Sequence, residues 1–125
     1  MREILIHNEA GPLAKPLQAG YCDTFFCRLR GLSFRRSLPY NWGLLLVQGR
    51  DSRMDASIHM LGMGFDLAIV WINAALEVVD VRYARRWLSF IVPQRAAQYT
   101  LEIHPDRIED FHIGDRVRFE EIPGS

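Results

Sequence analysis

The sequence predicts an α+β protein that is mainly β: a small barrel-like sheet of about seven or eight short strands, antiparallel or mixed, with two short helices. Three observations support this class. Short apolar or alternating runs are separated by residues that favour turns, the clearest alternation lies in Leu76–Tyr83, and two short segments carry helix-start signals. A chain of 125 residues without an internal repeat or long linker is expected to form one domain, residues 1–125.

The strand predictions follow these runs. The predicted strands are Glu3–Asn8, Leu13–Tyr21, Leu44–Val47, Ser57–Met60, Leu67–Ile72, Leu76–Tyr83, Tyr99–Ile103 and a last strand that follows Ile113–Val117 and ends near Ile122. Pro16 has no backbone N–H, so the second strand is expected at a sheet edge. In the sixth strand, Val79, Val81 and Tyr83 are expected to share one face. The polar segment Gln48–Ala56 is expected to be an exposed loop.

Capping signals place the two helices. Asp23-Thr24 offers an N-cap, Phe25–Leu32 repeats apolar residues at helical spacing, and Gly31 is the expected end of that helix. The second helix is expected to begin at His104–Asp106, because proline suits a first helical turn. The glycines of Gly62-Met63-Gly64 are expected to join the fourth and fifth strands.

Composition limits the location and the partners. The formal net charge is zero, so there is no overall basic character to indicate a nucleic-acid partner. No apolar run approaches the roughly 20 residues that span a bilayer, and Met1–Ile6 is followed too soon by His7 for a signal-peptide core. A cytoplasmic protein with no membrane partner is therefore expected. Cys22 and Cys27 would lie about 140° apart on a helix, so they are expected to be unbonded thiols.

Charge is nevertheless distributed unevenly. The segment 20–53 holds six arginines against two aspartates, a net of +4, and the segment 102–125 holds three arginines against seven acids, a net of −4. Arginine suits carboxylate and phosphate recognition because its guanidinium is a planar fork of donors. Two explanations are open: the two segments pair with each other, or the arginine cluster meets an anionic ligand or partner.

Several separated segments also follow a known order. They are Arg28–Pro39, with an arginine, Gly-Leu, arginine, Leu-Pro pattern, then Gly43–Leu46, Ile58–Met60 with Met63 and Phe65, Arg86-Trp87, Tyr99–Glu102 and Ile113–Val117. In this order and spacing, over nearly the whole chain, they resemble the bacterial and archaeal family called domain of unknown function 192. The resemblance implies no established reaction. Family members commonly carry an aspartate at the position of Ala68, and Asp66 lies two residues earlier, on the same face of a strand.

The candidate binding residues combine these observations. The set is Arg30, Arg35, His59, Met60, Asp66, Trp87 and Glu102. His59 is central because it is boxed in by apolar and small residues before a β-rich run. Many family members place an aromatic residue there, which favours a buried or pocket-lining ring over a required general base. No catalytic residue, metal or cofactor is assigned, because the four histidines are scattered without metal-ligand spacing.

Three functions remain open. The leading hypothesis is non-catalytic binding of a small polar or anionic ligand, and the balance leans away from an enzyme. The first alternative is a hydrolase or lyase that uses His59 with Asp66 or Glu102. The second is a protein-interaction module with an exposed apolar patch around Trp42, Trp87 and Phe90.

Overall fold

The computed structural model describes residues 1–33, 35–60, 63–87 and 90–124, and within these ranges seven strands form one sheet. The strands are β1 (Glu3–Asn8), β2 (Leu17–Cys22), β3 (Trp42–Ser52), β4 (Leu67–Ile72), β5 (Val78–Ala84), β6 (Ala97–Ile103) and β7 (Val117–Glu121). Helix α1 spans Phe25–Arg30, and a 3₁₀-helix spans Pro105–Asp110. The predicted class, α+β and mainly β with two short helices, is confirmed.

The sheet is mixed and open. Its order is β5-β4-β6-β3-β2-β1-β7, and every neighbouring pair is antiparallel except β2 and β3, which are parallel. The two edges approach each other just before β5 and β7, where Glu77 and Arg116 form an isolated bridge and the Val117 N–H donates to the Leu76 carbonyl at 2.8 Å. These bonds do not continue along the strands. The predicted barrel-like closure is therefore not supported.

Alternation along the strands gives each face of the sheet its own core. Helix α1 and the described residues of segments 54–60 and 63–65 cover the helix-side cluster, which includes Leu44, Leu46, Met60, Met63, Ile69 and Trp71. The opposite cluster includes Ile4, Ile6, Leu17, Leu45, Val47, Leu101 and Phe111. The Trp71 Nε1–H donates to the Ala56 carbonyl at 2.7 Å, which holds the covering segment against the sheet.

The structure corrects three strand predictions. The second strand begins at Leu17 and lies between β1 and β3, not at an edge, because Pro16 falls outside the ladder. The predicted loop Gln48–Ala56 is strand as far as Ser52, since β3 continues beside β6 with an irregular register. Ser57–Met60 is not a strand and holds only a single bridge from Ile58 to Ile91. Gly62 lies outside the described residues.

A register irregularity also changes the facing of β5. Val78 pairs with Ile72 and Asp80 pairs with Trp71, so Val79 is an extra residue on its strand. Such a bulge reverses the alternation beyond it. Val79 therefore packs in the helix-side cluster while Val81 packs against the opposite cluster, and the prediction that they share a face is wrong.

Helix α1 is short and exposed. The Thr24 hydroxyl oxygen caps it by accepting from the Cys27 N–H at 3.2 Å, and Gly31 ends it with a φ of 53°. No residue of α1 is buried. A disulfide joins Cys27 to Cys22, with 5.6 Å between their Cα atoms. The prediction of free thiols is wrong because Cys22 ends β2 and does not lie on the helix.

The 3₁₀-helix is held by a buried arginine. Arg107 has no exposed surface, and its guanidinium donates to the Asp110 carboxylate at 2.7 Å. It also donates to the carbonyls of Lys15, Pro16 and Tyr40. Lys15 and Pro16 end the loop before β2, and Tyr40 lies near the end of the loop before β3. Arg107 therefore fixes the approach of both loops to the sheet.

Candidate functional site

A cavity of about 110 Å³ opens between α1, β3, β6, the segment 55–59 and Met63, and we call it the central cavity. Leu32, Leu46 and Met63 supply apolar wall. Its polar wall consists of Arg28, Arg30, Ser33, Gln48, Asp55, Ser57, His59 and Glu102. Three of the predicted binding residues, Arg30, His59 and Glu102, thus meet in one cavity.

Glu102 is the buried acid of this wall. It pairs with Leu44 of β3 and with Ile69 of β4, so the middle of the sheet holds it. Gly43 permits this close packing, because a Cβ there would lie 2.6 Å from the Glu102 carbonyl oxygen. Glu102 is 3% exposed, and its Oε1 has no hydrogen-bond partner among the described residues.

Burial also changes the ionisation of Glu102. Removal from water penalises the charged form, and this raises the pKa of the Glu102 carboxyl from 4.5 to about 8. The group is therefore mostly protonated at neutral pH. A neutral carboxyl can both donate and accept a hydrogen bond, and it does not repel an anion.

Gln48 repeats the pattern on the adjacent strand. It is 8% exposed, and its Oε1 is also buried without a partner. Gln48 was missed at the sequence level because its segment was predicted to be a loop. The spacing of Leu44, Leu46 and Gln48 could have indicated it, since alternate residues of a strand share a face.

The two arginines of the central cavity differ in their attachments. The Arg28 Nη1 donates to the carbonyls of Asp23 at 2.6 Å and Val47 at 3.1 Å, which fixes that side chain across α1 and β3. Arg30 is exposed and makes no ion pair or side-chain hydrogen bond with the described residues. In the sequence Arg28 was a member of the arginine cluster and the first residue of the segment Arg28–Pro39, but it was not among the predicted binding residues.

The proposed pairing of the basic and acidic segments is not seen in the described part of the chain. Its ion pairs take Glu121 to Arg2, Glu120 to His7 and Asp110 to Arg107. No ion pair there joins an arginine of segment 20–53 to an acid of segment 102–125. The arginines at the central cavity are therefore not neutralised in that way.

His59 and the serines lie around the central cavity. His59 is exposed, so the structure places it as a pocket-lining ring and not as a buried one. The Ser57 hydroxyl donates to the Arg53 carbonyl at 2.8 Å, whereas Ser33 is 8% exposed. Neither serine was predicted to be a site residue, because neither has the glycine pattern of a nucleophile elbow.

A second cavity of about 480 Å³, which we call the outer cavity, lies on the other side of the α1 C-terminus. Its wall is formed by Met1, Phe26, Cys27, Arg30, Gly31, Leu32, Arg35, Trp42 and Leu44. The Arg35 guanidinium lies 4.6 Å from the Trp42 ring centroid. The predicted residue Arg35 thus lines the outer cavity, and Arg30 lines both cavities.

Asp66 belongs to a different region. It lines a third cavity with Arg86 and His104. Its carboxylate accepts from the Arg86 N–H at 2.9 Å and from the Tyr83 hydroxyl at 2.7 Å. These two hydrogen bonds, the Arg86 bond first, lower the pKa of Asp66 below 3.8. The structure does not bring Asp66 to the cavity that contains His59.

The two remaining predicted residues line none of these cavities. Met60 is fully buried in the helix-side cluster. Trp87 is 63% exposed, as is Phe90 at 54%, whereas Trp42 is half-buried and its indole N–H donates to Glu3 at 2.8 Å. Trp87 and Phe90 are therefore exposed as the predicted apolar patch requires, whereas Trp42 is not.

The described residues contain neither a metal-ligand cluster nor a membrane-spanning helix. No group of three or more histidine, cysteine, aspartate or glutamate residues among them is arranged to hold a metal ion. No helix in the described ranges is long and apolar enough to cross a membrane.

Known proteins share this fold. A crystal structure from Novosphingobium aromaticivorans DSM 12444, a protein of unknown function, superposes with a TM-score of 0.78 at 17% identity, covering 93% of this chain and 83% of that one. A crystal structure from Sinorhizobium meliloti 1021, described as "a putative transcription regulator", gives 0.79 at 16% identity, with coverages of 94% and 92%. At these identities the likeness concerns the fold alone.

Sequence comparison identifies the family. A UPF0127 protein of Thermococcus sibiricus is 36% identical over 101 aligned positions, with 78% of this chain and 63% of that protein covered. A UPF0127 protein of Pyrococcus furiosus is 31% identical over 108 residues, covering 85% and 90%. The chain spans about three fifths of the length of its Thermococcus relatives. The model of domain of unknown function 192, described as an uncharacterized ACR, matches residues 6–119, and the chain belongs to this family.

Proposed function

We propose that this domain binds a small polar or anionic molecule in the central cavity. The observation that carries the proposal is the pair of buried oxygens, Oε1 of Glu102 and Oε1 of Gln48, that lack partners in one cavity. A buried polar group without a hydrogen bond costs about 1–3 kcal/mol, so proteins rarely leave two together. A ligand that hydrogen-bonds to both groups removes that cost.

Positive charges in the wall of the same cavity favour an anion. Arg28 and Arg30 bring two positive charges to the wall, and Glu102 adds little negative charge at neutral pH because its pKa is raised to about 8. Asp55 is exposed, where water screens its charge. A carboxylate could accept from Arg30 and from the protonated Glu102. Charge-assisted bonds of this kind are roughly twice as strong as neutral ones.

A thermal-shift experiment tests the proposal. Acetate, malonate, phosphate, sulfate and glucose are added separately to the purified chain. We expect at least one anion to raise Tm, since a ligand at 100 times its Kd stabilises by about 2.7 kcal/mol. Arg30→Gln is expected to abolish the shift. Arg95→Gln, at an exposed arginine that lines no described cavity, should keep it. If none of these probes raises Tm, the cavity holds only water and the proposal fails.

A second candidate function is acid–base catalysis in the same cavity. His59 and Glu102 both line it, and the raised pKa of Glu102 suits a group that exchanges protons near neutral pH. Asp66 lies in another cavity and is not the partner in this version. A panel of chromogenic esters, phosphoesters and glycosides tests it. Turnover must be lost in both His59→Gln and Glu102→Gln, and activity that survives both changes excludes this candidate.

A further inference from the structure

The central and outer cavities adjoin each other at the end of α1. Arg30, Gly31 and Leu32 line both of them. The central cavity is small and its wall is polar and apolar in similar amounts, whereas the outer cavity is several times larger and mainly apolar, with volumes of about 110 and 480 Å³. A single ligand that bridges them needs a small polar end and a larger second part.

The outer cavity offers an apolar surface to that second part. Its Leu32 and Leu44 belong to the buried helix-side cluster, whereas Phe26 is 78% exposed. Trp42 and Met1 add further apolar wall. A hydrocarbon chain placed there covers the exposed ring of Phe26 and is itself removed from water, and both effects favour binding.

Arg30 marks the place for a charged end. The outer cavity also contains Arg35, but the face of that guanidinium already packs on Trp42. Arg30 lines both cavities and has no ion pair with the described residues. The two cavities therefore share an uncompensated positive charge at their junction.

Gly31 keeps this junction free of a side chain. A Cβ on Gly31 would lie 3.8 Å from the Oε1 of Glu102, the buried oxygen without a partner. Its φ of 53° also favours glycine over residues with a side chain. The space beside the Glu102 carboxyl group thus remains available to a ligand atom.

We infer that the ligand is an amphipathic carboxylate, with its carboxylate between Arg30 and Glu102 and its apolar chain in the outer cavity. The inference rests on the proposed function, because it places the polar end in the central cavity. It adds the chemical class of the ligand. The carboxylate accepts from the Arg30 guanidinium and from the protonated Glu102, and the chain packs on Phe26, Leu32 and Leu44.

Titrations of the full chain with acetate, butanoate, octanoate and 1-octanol, followed by NMR chemical-shift changes, test this inference. Each buried CH₂ should tighten binding about threefold to fourfold. Octanoate is therefore expected to bind more than tenfold tighter than acetate. It is also expected to bind more than tenfold tighter than 1-octanol, which lacks the charge.

Two matched substitutions locate the chain. Phe26→Ser is expected to weaken octanoate binding at least threefold and to leave acetate binding unchanged. Phe25→Ser is the control, because Phe25 is 65% exposed on the same helix but does not line the outer cavity. Arg30→Gln is expected to weaken both carboxylates.

The outcomes separate the two proposals. If acetate and octanoate bind equally, the inference is overturned while binding in the central cavity stands. If octanoate and 1-octanol bind equally, or if Phe25→Ser matches Phe26→Ser, the inference is also overturned. If no carboxylate binds while phosphate or another probe does, only the ligand class is wrong. If none of the probes binds, both proposals fail.

Discussion

Glu102 on β6 and Gln48 on β3 line one cavity, and each has a buried side-chain oxygen that finds no hydrogen-bond partner in the part of the chain that the structure describes. Elsewhere the same protein satisfies its buried charges. Asp80 is 3% exposed, and its carboxylate accepts from the Val81 N–H at 2.9 Å and the Gln94 N–H at 2.8 Å. The contrast singles out the central cavity as the candidate site, because at Asp80 the protein avoids the cost of an unsatisfied buried polar group.

The raised pKa of Glu102 predicts a pH-dependent stability. Below pH 4.5 the Glu102 carboxyl is protonated in both the folded and the unfolded chain, so its burial removes no charge from water. The free energy of unfolding is therefore highest, as far as Glu102 is concerned, in this pH range. Between 4.5 and about 8 the unfolded chain releases the proton while the folded chain keeps it, so the free energy of unfolding falls as pH rises. Glu102→Gln lacks this term. Urea unfolding should therefore show the variant gaining a few kcal/mol on the wild type from pH 5 to pH 8.

A difference between the two proteins that stays constant with pH would contradict this prediction. Asp55→Asn is the matched control, since its carboxyl lines the same cavity but is exposed. Its unfolding free energy, relative to the wild type, is expected to change little over the same pH interval.

Arg107 is predicted to be a major contributor to stability. Arg107→Met removes the ion pair with Asp110 and the donors to the carbonyls of Lys15, Pro16 and Tyr40. Arg107 is fully buried but the Asp110 side chain is 25% exposed, so chemical denaturation should show a loss near the lower end of the roughly 3–5 kcal/mol that breaking a buried pair costs. Arg118→Met is the comparison, because its pair with Glu9 is half-exposed and is expected to contribute less than about 1 kcal/mol. Equal losses in the two variants would rule out the special role of Arg107.

The hydrogen bond between Tyr83 and Asp66 is predicted to hold down the Asp66 pKa. Tyr83→Phe removes the weaker of the two hydrogen bonds, so the pKa should rise toward 3.8 without reaching it, because the Arg86 N–H remains. The lowered pKa means that this carboxylate stabilises the fold above pH 3.8 and loses that effect as pH falls further. An NMR titration of the Asp66 carboxyl carbon measures the shift, with Tyr40→Phe as the control. An unchanged pKa in Tyr83→Phe would refute the assignment.

Reduction of the disulfide is predicted to loosen α1. The helix has no buried residue, so the bond between Cys22 and Cys27 and the Arg28 hydrogen bonds anchor it. Closing so short a loop stabilises a protein by about 2 kcal/mol in the chain-entropy model. Hydrogen exchange of the Arg28 and Gly31 amides should accelerate on adding a dithiol, and Tm should fall. A double Cys22→Ser and Cys27→Ser variant should show no response to the dithiol. If the dithiol also leaves the exchange rates and the Tm of the wild type unchanged, the prediction is contradicted.

Local patterns in the sequence were sufficient for several elements. β1 and β4 have the predicted bounds, Glu3–Asn8 and Leu67–Ile72, because apolar runs flanked by polar or turn residues are strong local signals. Helix α1 begins after its threonine cap and ends at Gly31 for the same reason. The order of the separated segments that resemble domain of unknown function 192 also indicated the family. Glu102 and Arg30 were selected at this level, and both line the central cavity.

Only the tertiary structure determined which residues meet. Pairing of β2 with β3 placed Cys22 beside α1, and the continuation of β3 past Val47 buried Gln48. His59 and Asp66 are only seven positions apart in the chain, yet they line different cavities. Local propensity acts over a few residues, whereas burial and hydrogen bonding depend on strands that are distant in sequence. The sequence therefore determined the family and most elements, and the packing of β3, β6 and α1 decided which residues line the central cavity.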